Sequence, residues 1–266
     1  MVKKLFSRLY VGLIILFLYA PIAVLIVLSF NDSKSRVVWG GFTTRWYSEV
    51  FSNSTILSAF ATTIALALLS ALIASVIGTL AALGIDRMRR KQYQVVMFFT
   101  NIPLLNADIV TGIALMLWFV RFLPLGFTSL LLAHVTFNIP YVILCVLPKL
   151  RQMDVNLYEA ARDLGANSRT AFFKITFPFI LPGVLSGFFL AVTMSMDDFV
   201  ITYFTKGAGV NTLSTMIYGE IRKGIKPEMY ALSTILFLII LLLLILMNIV
   251  PRLKNREQTA SAVRDF

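Results

Sequence analysis

Long uncharged stretches alternate with short charged ones along this chain. Residues 9–31, 50–85, 122–148 and 229–251 carry no charged side chain. Residues 92–120 hold one acid, Asp108, and residues 175–205 hold only the adjacent Asp197 and Asp198. About 20 apolar helical residues cross roughly 30 Å of hydrocarbon. The pattern therefore predicts six transmembrane helices, at about 9–31, 56–85, 95–120, 126–148, 180–204 and 229–251. The runs do not alternate with period two, which argues for helices rather than a barrel. The uncharged stretch 50–85 is longer than one span needs, so part of it must lie outside the hydrocarbon. An inner loop, 149–178, and an outer loop, 206–228, are longer than topology requires, as functional loops tend to be. The polar tail, 252–266, is expected to be disordered.

Composition supports the same class. Hydrophobic residues make up 58% of the chain and charged residues 14%, against about a quarter charged in soluble domains. The 24 Lys and Arg outnumber the 13 Asp and Glu, for a net charge of +11. Such a balance suits nucleic acid or anionic lipid, and its placement favours lipid. With both termini cytoplasmic, the inner segments hold sixteen of the basic residues and the outer ones eight, as the positive-inside rule requires. The densest cluster, Arg87, Arg89, Arg90 and Lys91, falls on the inner side. The basic start, residues 1–8, precedes an apolar run too long for a signal peptide, so that run is read as the first span. Cys145 is the single cysteine, so no intramolecular disulfide forms.

The inner loop reads as two short helices. Asp154 is placed to cap the first. Leu157, Ala161 and Leu164 fall at i, i+4 and i+7 and form an apolar face. Glu159 is spaced to pair with Arg162 along it. Gly165 sits where a helix ends on a left-handed residue, Ser168 is placed to cap the second helix, and Pro178 to interrupt the chain before the next span. An amphipathic helix without a partner in its own loop suits a membrane surface or a groove on another protein. The run Glu159-Ala160-Ala161-Arg162-Asp163-Leu164-Gly165, followed after nine residues by Ile175-Thr176-Phe177-Pro178, resembles the EAA motif of ABC importer permeases, with Phe177 where Leu is usual. The segments Gly41-Phe42-Thr43-Thr44-Arg45-Trp46-Tyr47 and Ser195-Met196-Asp197-Asp198-Phe199-Val200 resemble the second permease subunit of spermidine/putrescine importers, the PotC type.

That resemblance implies an all-α, six-helix MetI-like ABC permease fold over 1–251, with a cytoplasmic tail beyond it. It implies that Glu159, Ala160, Ala161 and Gly165 contact an ATP-binding subunit dimer (PotA-like), which binds ATP and Mg. A sister permease (PotB-like) and an extracytoplasmic polyamine-binding protein (PotD-like) are the other implied partners. No P-loop sequence G-x-x-x-x-G-K-[ST] occurs, so the chain is read as a transport subunit with no cofactor of its own, and ATP hydrolysis falls to a separate subunit.

Acids inside spans are costly and functional by default. In a continuous third span Asp108 lies roughly 20 Å from the inner end, at 1.5 Å per residue. Asp197 and Asp198 lie in the outer half of the fifth span. A polycation would offset the cost of these carboxylates. Ser195, within a turn of the pair, accepts a hydrogen bond from an ammonium in this reading, and Trp46 and Tyr47 offer cation–π contacts at an entrance. Helix neighbours diverge by about 100°, so Asp197 and Asp198 do not both face the pathway, and one of them is free to cap. His134, the single histidine, is read as a helix–helix hydrogen-bond partner, and Pro103 and Pro140 as sites that permit kinks. In the outer loop Leu213, Met216, Ile217 and Ile221 predict a helix, followed by Arg222, Lys223 and Lys226, which argue against a cationic substrate passing close by and are read instead as partners for acids on the binding protein. The alternatives are another substrate of the same permease family (an iron complex, sulfate or an opine) and a secondary transporter.

Overall fold

The computed structural model describes the backbone of residues 2–33, 38–223 and 226–264, and side chains at 6, 8–33, 38–154, 156–222 and 226–246. Lys34 and Arg36, and the side chains of Lys3, Lys4, Lys223 and the tail, all used above to orient the chain or read its loops, lie outside the described residues. Every regular element described is a helix: α1 (Val2–Leu28), α2 (Arg45–Ser52), α3 (Ser54–Asp86), α4 (Arg90–Leu105), α5 (Asp108–Phe122), α6 (Phe127–Arg151), α7 (Val155–Asp163), α8 (Ser168–Ala171), α9 (Phe177–Asp197), α10 (Val200–Thr205), α11 (Leu213–Lys223) and α12 (Pro227–Arg264). Five helices are long and apolar enough to cross a membrane, and a sixth span is made if the bent pair α4–α5 counts as one.

Two compact units divide the chain. The first comprises residues 1–58 and 216–239. Over residues 9–20 its α1 is apolar on every side and exposed, as a helix solvated by lipid or by another subunit must be. The loop that follows is organised by Asn31. Its Nδ2 donates to Val38 O at 2.9 Å, and its Oδ1 accepts from Gly40 N at 2.8 Å and Ser33 N at 3.1 Å. Gly41, at φ +111°, supplies a turn that only glycine enters at low cost.

The second unit comprises residues 59–215 and 240–266, and its most extensive packing joins α6 to α9. Gly183 and Gly187 make this possible. A Cβ at Gly183 would lie 2.9 Å from Cys145 O, and one at Gly187 3.2 Å from Val142 Cα. Small residues four apart let two membrane helices approach at backbone distance.

Four expectations are corrected. The third span is broken: α4 and α5 meet at a bend of 106°, with Asn106 and Ala107 in extended conformation between them. Pro103 withdraws a backbone donor just before the break, and Asp108 favours the positive N-terminal end of α5. The fifth span also breaks, after Asp197, where Asp198 turns extended before α10. Pro178 does not interrupt the chain, because residues 172–176 form a π-helical turn in which Phe177 N bonds Phe172 O. The wider turn relieves the clash between the proline ring and the preceding carbonyls. The tail is helical to Arg264, consistent with its good helix formers Lys, Arg, Glu, Gln and Ala.

Candidate functional site

The second unit holds a cleft of about 300 Å³ where the two broken spans meet, with Asp108, Asp197, Asp198, Thr111, Tyr141 and Phe199 among its lining residues. Asp108 stands in the first turn of α5. One turn later Gly112 lets α5 press against α10: a Cβ there would lie 3.1 Å from the Phe204 ring and 3.4 Å from Ile201 Cα. That close approach brings the start of α5 beside the α9–α10 junction.

Asp108 and Asp197 are both exposed to the cleft. Asp198 behaves differently. Its side chain is only 10% exposed, and its carboxylate accepts from Ile201 N at 3.2 Å, Thr202 N at 2.7 Å and Thr202 Oγ1 at 2.8 Å. It caps the first turn of α10. Of the adjacent pair, Asp197 has no hydrogen-bond partner among the described residues, whereas Asp198, turned away by the break after α9, is engaged.

Ser195 is engaged within the protein. It is buried, accepts from Asn138 Nδ2 at 2.7 Å and lies 3.0 Å from Ser70 Oγ, so its oxygen is used in joining α3, α6 and α9. Trp46 and Tyr47 belong to the first unit, whereas the second unit alone makes the acid cleft. Trp46 is 3% exposed; its Nε1 donates to Asn31 O at 2.8 Å, and Arg45 covers its ring at 4.6 Å. Tyr47 bonds Ser29 Oγ at 2.7 Å. Trp46 thus braces a loop with its ring covered, and Tyr47, half-buried, is tied to the same loop through its hydroxyl.

His134 is fully buried and lies 2.9 Å from Thr202 Oγ1, joining α6 to α10 as a helix–helix partner. With Asn138 and Tyr141 it makes an i, i+4, i+7 stripe along α6. The sequence reading missed Tyr141, Thr111 and Phe199, and a polar stripe on a buried apolar helix was the signal that would have found Tyr141. Among the described residues no cluster of three His, Cys, Asp or Glu could hold a metal.

The second candidate region is the inner loop. Asp154 caps α7 by accepting from Asn156 N at 3.0 Å. Gly165, at φ +88°, closes it: Gly165 N bonds Arg162 O and Ala166 N bonds Ala161 O, each at 3.0 Å, the two bonds of a Schellman motif. Asn167, not Ser168, caps α8, because its Oδ1 accepts from Thr170 N at 2.7 Å. Ser168 instead accepts from Arg162 Nη1. Glu159 and Ala160 are exposed and Ala161 is half-buried; Leu157 and Leu164 are 52% and 89% exposed. The apolar face of α7 is thus presented outward.

At the head of this loop Arg151 gathers the ends of three helices. Its Nε lies 3.5 Å from Asp86 Oδ1, its guanidinium lies 4.4 Å over the Tyr93 ring, and its Nη1 donates to Tyr93 Oη at 3.3 Å. In the outer loop, where α11 forms as expected, Lys226 is taken up within the chain, 3.7 Å from Glu220 and 3.6 Å from Glu228.

Comparison with known proteins adds five findings. A family model described as "Binding-protein-dependent transport system inner membrane component" matches residues 74–257. The chain is 37% identical over 260 residues to the "Spermidine/putrescine transport system permease protein PotC" of Escherichia coli K12, covering 97% of this chain and 98% of that one. It is 39% identical over 228 residues to the "Putrescine transport system permease protein PotI" of the same organism, covering 83% and 81%. Among solved structures, a bacterial ABC transporter involved in the import of the acidic polysaccharide alginate superposes with a TM-score of 0.67 at 17% identity, covering 96% of each chain. The MetNI methionine ABC transporter does so with a TM-score of 0.60 at 18% identity, covering 76% of this chain and 99% of that one. At such identities these structures speak for the fold alone.

Proposed function

The chain belongs to the family of binding-protein-dependent transport system inner membrane components, the MetI-like ABC permeases, and from that premise we propose that it forms one half of the membrane pathway of a polyamine importer. It is a multi-pass membrane transport subunit and not an enzyme. The observation that carries the substrate reading is the cleft between the broken spans, where Asp108 and Asp197 present free carboxylates. Two negative charges at membrane depth are expensive unless cations visit them, and spermidine and putrescine supply ammonium groups at fixed separation. Tyr141 and Phe199 line the same cleft and favour cationic methylene chains through cation–π contact. The near-full-length likeness to spermidine/putrescine and putrescine permeases supports the same class.

A sister permease completes the pathway. An extracytoplasmic binding protein delivers the amine, and a separate ATPase dimer, holding ATP and Mg, docks on α7 through Glu159, Ala160, Ala161 and Gly165. The outward apolar face of α7 supports this docking. ATP-driven closure of the dimer moves α7, and the spans rock so that the cleft opens to receive substrate.

The test is uptake by the reconstituted complex of this chain with its sister permease, ATPase and binding protein, using labelled spermidine, putrescine and sulfate. Polyamine uptake is expected, and Asp108→Asn or Asp197→Asn should each raise KM by about tenfold or more, the scale of one lost charge-assisted hydrogen bond. Uptake of sulfate, or polyamine uptake indifferent to both substitutions, overturns the substrate reading while leaving the family standing.

A further inference from the structure

We propose that His134 and Thr202 are positioning residues of this cleft: a hydrogen-bond chain from the α6 imidazole through the Thr202 hydroxyl holds Asp198 on the first turn of α10, so that substrate meets Asp108 and Asp197 as free carboxylates and Asp198 as fixed wall. The proposal rests on the polyamine reading above and assigns its selectivity.

The proton count fixes the direction of the chain. A threonine hydroxyl has one hydrogen, and Thr202 gives it to Asp198 Oδ2 at 2.8 Å. The 2.9 Å contact between His134 Nε2 and Thr202 Oγ1 therefore needs its hydrogen on Nε2, and the imidazole is the donor. Its other nitrogen, Nδ1, is buried and has no hydrogen-bond partner among the described residues, so the ring is held by its Nε2 side. Phe137, edge-on at 5.1 Å, steadies the ring plane.

The rest of the junction is fastened to match. Ser129 Oγ on α6 donates to Thr205 O at 2.8 Å, and Ser214 Oγ donates to Asp198 O at 2.6 Å. Backbone and carboxylate of Asp198 are thus both held, which sets the direction of Asp197 one residue before it. Every acceptor bond on Asp198 lowers its readiness to leave for an ammonium. The cleft accordingly offers two free negative charges, matched to two ammonium groups. Releasing Asp198 would add a third charge and favour a triamine over a diamine.

The experiment uses the assembled complex and compares KM for putrescine and spermidine. Thr202→Val, isosteric but without the hydroxyl, and His134→Leu should raise the ratio of putrescine KM to spermidine KM by about fivefold, a fraction of one charge-assisted hydrogen bond. Maximal turnover should change little. Thr202→Ser and His134→Gln, which keep a donor at the same reach, should restore the ratio. A second readout needs no substrate: labelling with a water-soluble carbodiimide, followed by peptide mass analysis, should modify Asp108 and Asp197 in the wild type and Asp198 as well in Thr202→Val. An unchanged ratio with turnover lowered alike for both amines, or an Asp198 that stays unlabelled in Thr202→Val, overturns the proposal. A wild-type complex that moves neither amine sinks the substrate reading, while the labelling still decides the positioning role.

Discussion

At the scale of single residues, the membrane-buried polar groups divide by whether their hydrogen-bonding capacity is already used. Ser195 and Asp198 spend theirs inside the protein, whereas Asp197 faces the cleft. Uptake kinetics should follow that division. Ser195→Ala is expected to leave KM within about twofold of wild type while lowering thermal stability, since it removes the acceptor of Asn138 Nδ2; losing a buried partner costs about 1–3 kcal/mol. Asp197→Asn is expected to do the reverse, raising KM with little loss of stability. A thermal-aggregation assay beside uptake separates the two. Trp46 obeys the same logic. Its Nε1–H is the bond to Asn31 O beneath a loop organised by that asparagine, so Trp46→Phe should lower the melting temperature and leave the ratio of spermidine to putrescine uptake unchanged. A KM that rises selectively in Trp46→Phe would put the indole back in the pathway.

Elements show what sequence patterning reads well and what it misses. Asp154, the i, i+4, i+7 apolar face and Gly165 foretold α7 with its cap and its terminator, because capping chemistry is local and each end is written in one residue. Gly165→Ala should accordingly cost about 1–2 kcal/mol, the penalty of a left-handed alanine, and destabilise the loop without touching the acid cleft. The breaks at 106–107 and 198–199 were not legible as breaks. Hydropathy reports the solvent of a segment, not its continuity, and Asn106, Ala107 and Asp198 weigh little in an apolar window. Yet those breaks make the site, because they end helices where backbone groups and carboxylates can face a shared cleft. The pairing of α5 with α10 through Gly112 was likewise unreadable, since a glycine in an apolar run does not announce its partner. Once the breaks are known, Asp108 at the start of one half-helix and Asp198 at the start of another follow from the helix dipole.

At the scale of the whole molecule, the question is how force applied at α7 would reach a cleft lying beyond the bend between α4 and α5. Arg151 offers a connection. It ends α6, three residues before the cap of α7, and it grips both Asp86 at the end of α3 and Tyr93 in the first turn of α4. α4 runs from that grip to the break that introduces Asp108. Displacing α7 would therefore pull on one end of α4, while the other end carries Pro103 in the wall of the cleft. In the reconstituted complex, Arg151→Ala should leave ATP hydrolysis within about twofold of wild type and lower uptake per ATP by about threefold to tenfold, on the scale of a stacked and hydrogen-bonded cation of about 1–2 kcal/mol. Arg151→Lys should recover only part, because an ammonium keeps the charge for Asp86 but loses the planar stack on Tyr93. Tyr93→Ala should reproduce the loss, and the double variant Tyr93→Ala/Arg151→Ala should be no worse than either single change, as expected for two partners in one interaction. Additive losses, or ATP hydrolysis that falls in step with uptake, would mean that these residues support folding or ATPase docking and that the cleft is driven by another route.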